Sequence, residues 1–260
     1  MMTPLLSLLL AIAAVGPQSR PVRFTAADGL QLAATYYPVA TNPAPAVILV
    51  HGFMKNRQEW SPFALLLQKN HIAALALDLR GHGDSTRRTT ADGVESLDAQ
   101  QLGGRDFTNM TLDVEAAFDW LTDQPGIDPR RIAIAGSSVG ANVALRYAQF
   151  NPDVAALLLL SPGVLYKGLR TDDVMTRIKP LPLRIVVSVG DAYAYESAKR
   201  LIEVRHETYP DTKPDEELIE CAGPLHGTHM FTGISKLAPL LVNWLQEVLC
   251  ARAPAPAPGP

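Results

Sequence analysis

Residues 131–148 read RIAIAGSSVGANVALRYA, and this stretch decides the fold. Arg131 to Ala135 is short, almost wholly apolar and β-branched at every second position, as a strand buried on both faces requires. Beyond Val139 the apolar residues Val143, Ala144 and Tyr147 recur at helical spacing. Between strand and helix stands Gly136-Ser137-Ser138-Val139-Gly140, a Gly-x-Ser-x-Gly turn. Small residues two before and two after Ser138 let the chain reverse sharply, so the hydroxyl projects above the sheet edge, while the helix N-terminus aims free N–H groups at the same place. The location predicts a nucleophile elbow at Ser138, as against an ordinary small-residue turn.

Working outward, the same alternation repeats. AVILV (46–50), AALALDL (73–79), VAALLLL (154–160) and RIVVSV (184–189) are further buried-strand runs. Helical spacing appears at Phe63, Leu66 and Leu67, at Leu112, Ala116, Phe118, Trp120 and Leu121, and at Leu237, Leu240, Leu241, Trp244, Leu245 and Val248. Strand, helix, strand, repeated, predicts an α/β protein with a doubly wound, mostly parallel sheet. Ahead of it, VRFTAADGLQLAATYYP (22–38) reads as an antiparallel hairpin turned at Asp28-Gly29. No repeat and no internal linker interrupts residues 20–250, which read as one domain.

Composition narrows the function. Of 260 residues, 47% are apolar and 19% charged, which describes a folded chain with a full core and excludes coiled coil and wholesale disorder. A net charge of −3 supplies no field for gathering a phosphate backbone, so nucleic acid is not an expected partner. The 2 cysteines cannot build a disulfide framework. LLSLLLAIAAVG (5–16) is too short to span a bilayer and fits the apolar core of an export signal within residues 1–19, so a periplasmic or secreted protein without a stable membrane span after processing is expected. APAPAPGP (253–260) closes a Pro-alternating tail, residues 251–260, which forms neither helix nor ladder.

A serine hydroxyl needs a base, a carboxylate that holds the base, and donors for the oxyanion. Asp191 follows the strand IVVSV directly, with Glu196 a rival already inside the next helical run. The alternative role for Asp191 is to cap that helix. Of the histidines after it, His206 sits in the charged stretch EVRHETYPD, whereas His226 and His229 share the Gly-rich segment GPLHGTHMF. His226, beside Gly227, is the preferred base. A metal site from Cys221, His226 and His229 lacks a fourth ligand, and neither metal nor cofactor is expected. Backbone N–H groups of Val139 and of Phe53, in the loop His51-Gly52-Phe53, are the expected oxyanion donors. His51 precedes the serine and reads as structural. Phe53, Met54, Tyr193, Met230 and Phe231 are the expected apolar substrate-binding residues.

In chain order, His51-Gly52-Phe53, Asp78-Leu79-Arg80-Gly81-His82-Gly83-Asp84-Ser85, the Ser138 turn, Gly190-Asp191 and His226-Gly227-Thr228 resemble the α/β-hydrolase superfamily over about Val22 to Leu249. The resemblance is closest to its small bacterial esterase, lysophospholipase and dienelactone-hydrolase-like branches. It implies the α/β-hydrolase fold, Ser138 as nucleophile, Asp191 as acid and His226 as base. Many relatives place the acid two positions later, where this chain has Tyr193. Serine at 138 sets the chain apart from dehalogenases and epoxide hydrolases, whose nucleophile is typically aspartate. Relatives insert a cap after the strand matching VAALLLL; here residues 163–182 leave room for a short helix or two. That segment carries Arg170, Asp172, Asp173, Arg177 and Lys179 and no apolar stripe, which implies soluble esters of short to medium acyl groups. Thr86 to Arg105 is a second variable segment able to border the cleft, while Arg87 and Arg88 within it read more simply as a solvated turn. Acyl transfer, thioester or peptide cleavage, and a non-catalytic binding role on the same fold are the competing readings.

Overall fold

The computed structural model describes residues 18–251. The predicted export segment at 5–16 and the tail from Ala253 lie outside the described residues. In chain order the strands are β1 (Arg20–Thr25), β2 (Leu30–Tyr37), β3 (Ala44–Val50), β4 (Ala73–Leu77), β5 (Arg87–Thr90), β6 (Gly93–Ser96), β7 (Ile127–Ser137), β8 (Leu157–Leu160), β9 (Leu165–Tyr166), β10 (Leu169–Arg170), β11 (Leu183–Ser188) and β12 (Leu218–Cys221). The helices are α1 (Ser61–Lys69), α2 (Gly104–Thr122), α3 (Val139–Ala148), α4 (Asp172–Met175), α5 (Ala192–Thr208), α6 (Pro214–Glu217), α7 (His229–Gly233) and α8 (Leu237–Cys250).

Ten strands form one sheet in the order β12-β11-β8-β7-β3-β4-β2-β5-β6, with β1 also paired to β2. The six from β12 to β4 run parallel, and the β1–β2 hairpin joins antiparallel, turned by Gly29 at φ +83°. Because β-strand side chains alternate, each buried run feeds two layers. Ile48, Leu75 and Ile134 pack against Val114 of α2, Val143 of α3 and Leu201 of α5. Their neighbours Leu49, Ala76 and Ala135 pack instead against Phe63 and Leu67 of α1 and Leu241 and Leu245 of α8. A run apolar at every position is thus what a sheet covered on both faces uses.

The structure refines several details of the sequence reading. The front of the Thr86–Arg105 segment supplies β5 and β6, an antiparallel hairpin on the sheet flank, where Arg88 pairs with Glu95 and Asp28, and its end at Gly104 approaches the Lys167 carbonyl of the cap. The cap at 163–182 contains the two-stranded β9–β10 ribbon besides the single turn α4. The last helix starts at Leu237, where the apolar spacing begins, after a break that separates it from α7. The fourth strand run is regular only from Leu157, although Ala155 N–H already donates to Ile132 O and Ala156 O accepts from Ile134 N–H on β7. Cys221 is buried and Cys250 exposed, and both are free thiols.

Candidate active site

The sheet's winding reverses between β3 and β7: the chain leaves β3 for β4 on one side and later returns to β7 on the other. Open α/β sheets form a crevice at the carboxyl ends of such a strand pair. The His51-Gly52-Phe53 loop follows β3 there, and Ser138 follows β7.

Ser138 sits at φ +53°, ψ −118°, a conformation that side chains other than glycine adopt only when their surroundings impose it. Its surroundings do so. Its N–H donates to Leu160 O on β8 at 2.8 Å, and its carbonyl starts α3 by accepting from Ala141 N–H at 2.9 Å. A Cβ on Gly136 would strike the Gly140 carbonyl, and one on Gly140 would strike the carbonyls of Val50 and His51. Both glycines of the motif are therefore demanded by backbone contact.

Asp191 ends the turn after β11 and occupies the N-cap position of α5, yet its side chain makes no cap hydrogen bond. Its Oδ2 instead lies 2.5 Å from Nδ1 of His226. That contact excludes helix capping as the role of its carboxylate. Glu196 is exposed on α5, as the sequence predicts. His226 is held by its loop: Ser188 Oγ donates to Gly223 O and accepts from Leu225 N–H at 3.3 Å, and Gly227 N–H donates to Ser161 Oγ at 3.0 Å. Gly227 has φ +55°, and a Cβ there would meet Ser137 Oγ. His229 begins α7 with its side chain exposed, and His206 is exposed on α5.

The His51-Gly52-Phe53 loop is held by two buried histidines. Leu79 N–H donates to His51 Nε2 at 2.9 Å, so Nδ1 carries the proton and donates to Gly52 O at 2.7 Å. Met54 N–H donates to His82 Nε2 at 3.2 Å, and His82 Nδ1 donates to Arg80 O at 2.8 Å. Burial holds both rings neutral, pushing His51 down to about 3 and lowering His82 as well. In a trans peptide the C=O and the following N–H point in opposite directions. With the Gly52 carbonyl taken by His51, the Phe53 N–H therefore faces away from that ring. Neither Phe53 N–H nor Val139 N–H donates to a protein group among the described residues. The predicted structural role of His51 is what the geometry shows.

Behind this loop, the 78–85 run is also anchored. Buried Asp78 accepts from Arg57 N–H at 2.7 Å and Asp84 N–H at 2.8 Å. Arg80 lies between Asp113 at 2.6 Å and Asp28 at 2.8 Å, and burial raises the Asp113 carboxyl to about 6 against the pull of that guanidinium.

Ser138, His226 and Phe53 line one small cavity of about 130 Å³ together with Glu59 and Thr228. Of the residues expected to contact substrate, only Phe53 lies in this cavity, its ring also approaching Phe107 and Tyr166 at 5.5 and 6.1 Å between centroids. Met230 is a correction: at 0% exposure it belongs to the core beneath α8 and has no surface to offer. Tyr193 is 55% exposed, and its hydroxyl donates to Leu165 O at 2.5 Å and accepts from Leu165 N–H at 3.1 Å, tying the cap ribbon to α5. Met54 points outward, 51% exposed, and Phe231 lines a neighbouring cavity. The residue missed from sequence is Glu59. Its Oε1 accepts Gly52 N–H at 2.8 Å and its Oε2 faces the Thr228 hydroxyl at 3.4 Å, linking the loop after β3 to the loop that carries His226. Burial raises its carboxyl above the ordinary range. The only signal was a carboxylate seven positions beyond Gly52. Among the described residues no three His, Cys, Asp or Glu side chains converge to hold a metal ion, and no helix is long and apolar enough to cross a membrane.

Known proteins share this arrangement of strands and helices. Residues 45–204 match the family described as alpha/beta hydrolase fold, and the chain belongs to that family. It is 32% identical over 147 residues to an uncharacterized protein of Mycobacterium tuberculosis, covering 56% of this chain and 46% of that one. It is 30% identical over 160 residues to a thiohydrolase of Aspergillus aculeatus, covering 60% and 46%. The matched segment thus spans about half the length of these relatives. Among solved structures, an alpha/beta hydrolase from Penicillium superposes with a TM-score of 0.72 at 18% identity, over 90% of this chain and 100% of that one. A Pyrococcus furiosus esterase superposes at 0.67 and 18%, over 89% and 91%.

Proposed function

We propose that the protein is a serine hydrolase that cleaves small carboxylic esters of short to medium acyl groups through an acyl-enzyme. His226 takes the Ser138 proton as Oγ attacks the ester carbonyl, and Asp191 holds the imidazole in the required tautomer and stabilises its charge. The Phe53 and Val139 N–H groups receive the oxyanion. Collapse of that intermediate expels the alcohol, which leaves with the proton from His226. Water then repeats the sequence on the acyl-enzyme and frees the acid. The observation that carries this reading is the 2.5 Å contact between His226 Nδ1 and an Asp191 carboxylate that makes no cap bond to its own helix. The small cap supports soluble esters over lipid aggregates, since a ribbon and one helical turn offer little apolar surface to an oil phase. Export through residues 5–16 is part of the same proposal.

A second reading, thioester cleavage or acyl transfer by the same triad, draws on the relative named a thiohydrolase. Assay of wild type and Ser138→Ala on nitrophenyl esters from acetate to palmitate tests the proposal. Turnover is expected to peak at short or medium chains and to fall by about a thousandfold or more in the variant. Undiminished turnover in Ser138→Ala overturns the mechanism, and a maximum at palmitate enhanced by an oil interface overturns the substrate class. Thioesters turned over far faster than matched oxygen esters would favour the second reading.

A further inference from the structure

The small catalytic cavity does not end at Ser138. Lys55, Glu59, Thr228 and His229 line it and equally line a second cavity of about 310 Å³ that runs between the start of α1 and the α7–α8 junction. Beyond those shared residues the second cavity becomes apolar, walled by Pro62, Phe63, Phe231 and Ala238. Phe63 and Phe231 stack with their planes 5° apart and centroids at 4.8 Å, leaving a rigid aromatic wall. Phe63 is itself buried against Trp60, so the wall cannot swing away.

We propose that this second cavity receives the leaving alcohol, and that the alcohol is arylalkyl. The proposal rests on the ester-hydrolase reading above and specifies its substrate. The side of the cleft follows from the chemistry. The departing oxygen must lie against His226 to collect its proton. The wall that leads away from His226 is its own chain continuation, Thr228, His229 and Phe231, which opens into the aromatic cavity. The acyl group is left the opposite side, where Phe53 packs with Phe107 and Tyr166 of the cap ribbon. The size follows from volume. An apolar cavity of ~150 Å³ holds benzene, so about twice that volume takes a phenyl ring with its tether. The aromatic wall gives an edge or face contact to such a ring, and Lys55 at the shared mouth presents an ammonium to its π-face.

The test is kcat/KM with the acyl group fixed and the alcohol varied, then the reverse. Benzyl and phenethyl acetate are expected to exceed ethyl acetate by about 10- to 100-fold, as burial of a ring of this size predicts. Ethyl phenylacetate, with the ring on the acyl side, should show no such advantage over ethyl acetate. Thr232, exposed and lining the cavity, allows it to be filled from the surface: Thr232→Phe should collapse the benzyl-to-ethyl ratio towards one, while Thr232→Ser keeps it. A wild-type ratio near one, a ratio unmoved by Thr232→Phe, or an advantage that follows the acyl group overturns the assignment. Labelling by a fluorophosphonate separates the two levels. A wild-type protein that labels at Ser138 without alcohol preference refutes this cavity's role alone, whereas one that neither labels nor turns over refutes the hydrolase reading. In the latter case benzyl alcohol, followed by NMR shifts of the full-length Ser138→Ala protein, still reports on the cavity. Shifts at Phe231 that vanish in Thr232→Phe support it, and their absence counts against it.

Discussion

Lowering the pH from 7 to 5 should destabilise this protein through His51, and replacing that residue should remove the effect. The ring is fully buried, both nitrogens are bonded to backbone, and its pKa lies at about 3 instead of 6.5. The unfolded chain binds a proton at this position as the pH falls through 6.5, whereas the folded chain does not until about 3. Stability present above pH 6.5 is therefore lost progressively between those two values. The loss is about 2 kcal/mol at pH 5 and about 4 kcal/mol at pH 3. His51→Gln keeps an acceptor within reach of Leu79 N–H and cannot titrate. It should be less stable than wild type at pH 7, because the Gly52 carbonyl loses its donor, at about 1–3 kcal/mol. Between pH 7 and 5, however, its unfolding free energy should fall by about 2 kcal/mol less than that of wild type. Urea unfolding followed by far-UV circular dichroism measures both slopes. The carboxylates and His82 titrate in both proteins and largely cancel in the difference. Parallel slopes would refute the reasoning, since they would mean that the folded state accepts the His51 proton as readily as the unfolded chain.

Ser138→Gly should abolish turnover yet raise stability by about 1 kcal/mol, because glycine relieves the positive φ, while Ser138→Ala keeps a Cβ in the same strained position and should gain little; thermal unfolding of the pair reads the contrast. Asp191→Asn should lower kcat by up to ~10⁴-fold, against little change for Glu196→Gln, and the reverse ranking would move the acid along α5. Tyr193→Phe should cost about 1 kcal/mol and expose the cap ribbon to limited proteolysis near Leu165, since one hydroxyl makes both hydrogen bonds to that residue; an unchanged cleavage pattern would show the ribbon to be held by its other contacts, among them the Arg146 bond to Arg170 O.

What was legible in the sequence follows the physics of each segment. Ile132 and Ile134 could only be sheet interior, and the glycines at 136 and 140 left one kind of turn between that strand and α3, so the fold and Ser138 were readable together. Asp191 was less so, because the residue after a strand and before a helix has two uses for a carboxylate. Only the contact with His226 separates them. The β5–β6 hairpin was hidden because RRTT and GVES are almost entirely exposed and carry no apolar alternation, although Ala91-Asp92-Gly93 repeats the Asp-Gly turn signal of Ala27-Asp28-Gly29. Met230 and Phe231 are adjacent in sequence, and both looked like pocket residues. On the short helix α7 one turns into the core and the other towards the cavity, a difference set by where α7 starts.

The flanks of the sheet carry a consequence for its behaviour at high concentration. A ten-stranded sheet exposes long rows of backbone donors and acceptors wherever it stops, and such rows recruit strands from other molecules. Here it stops at β12 and at β6, each of 4 residues, with Glu220 in the first and Glu95 in the second. The outer side of β1 is longer, at 6 residues, but Pro21 removes a donor from it and Arg20 and Arg23 charge it. An incoming strand would find few consecutive groups to pair with and a formal charge to desolvate at each margin. Stripping those charges, as in an Arg23→Val, Glu95→Val double variant, would leave the cavity at Ser138 untouched and turn the margins into templates for fibrillar growth.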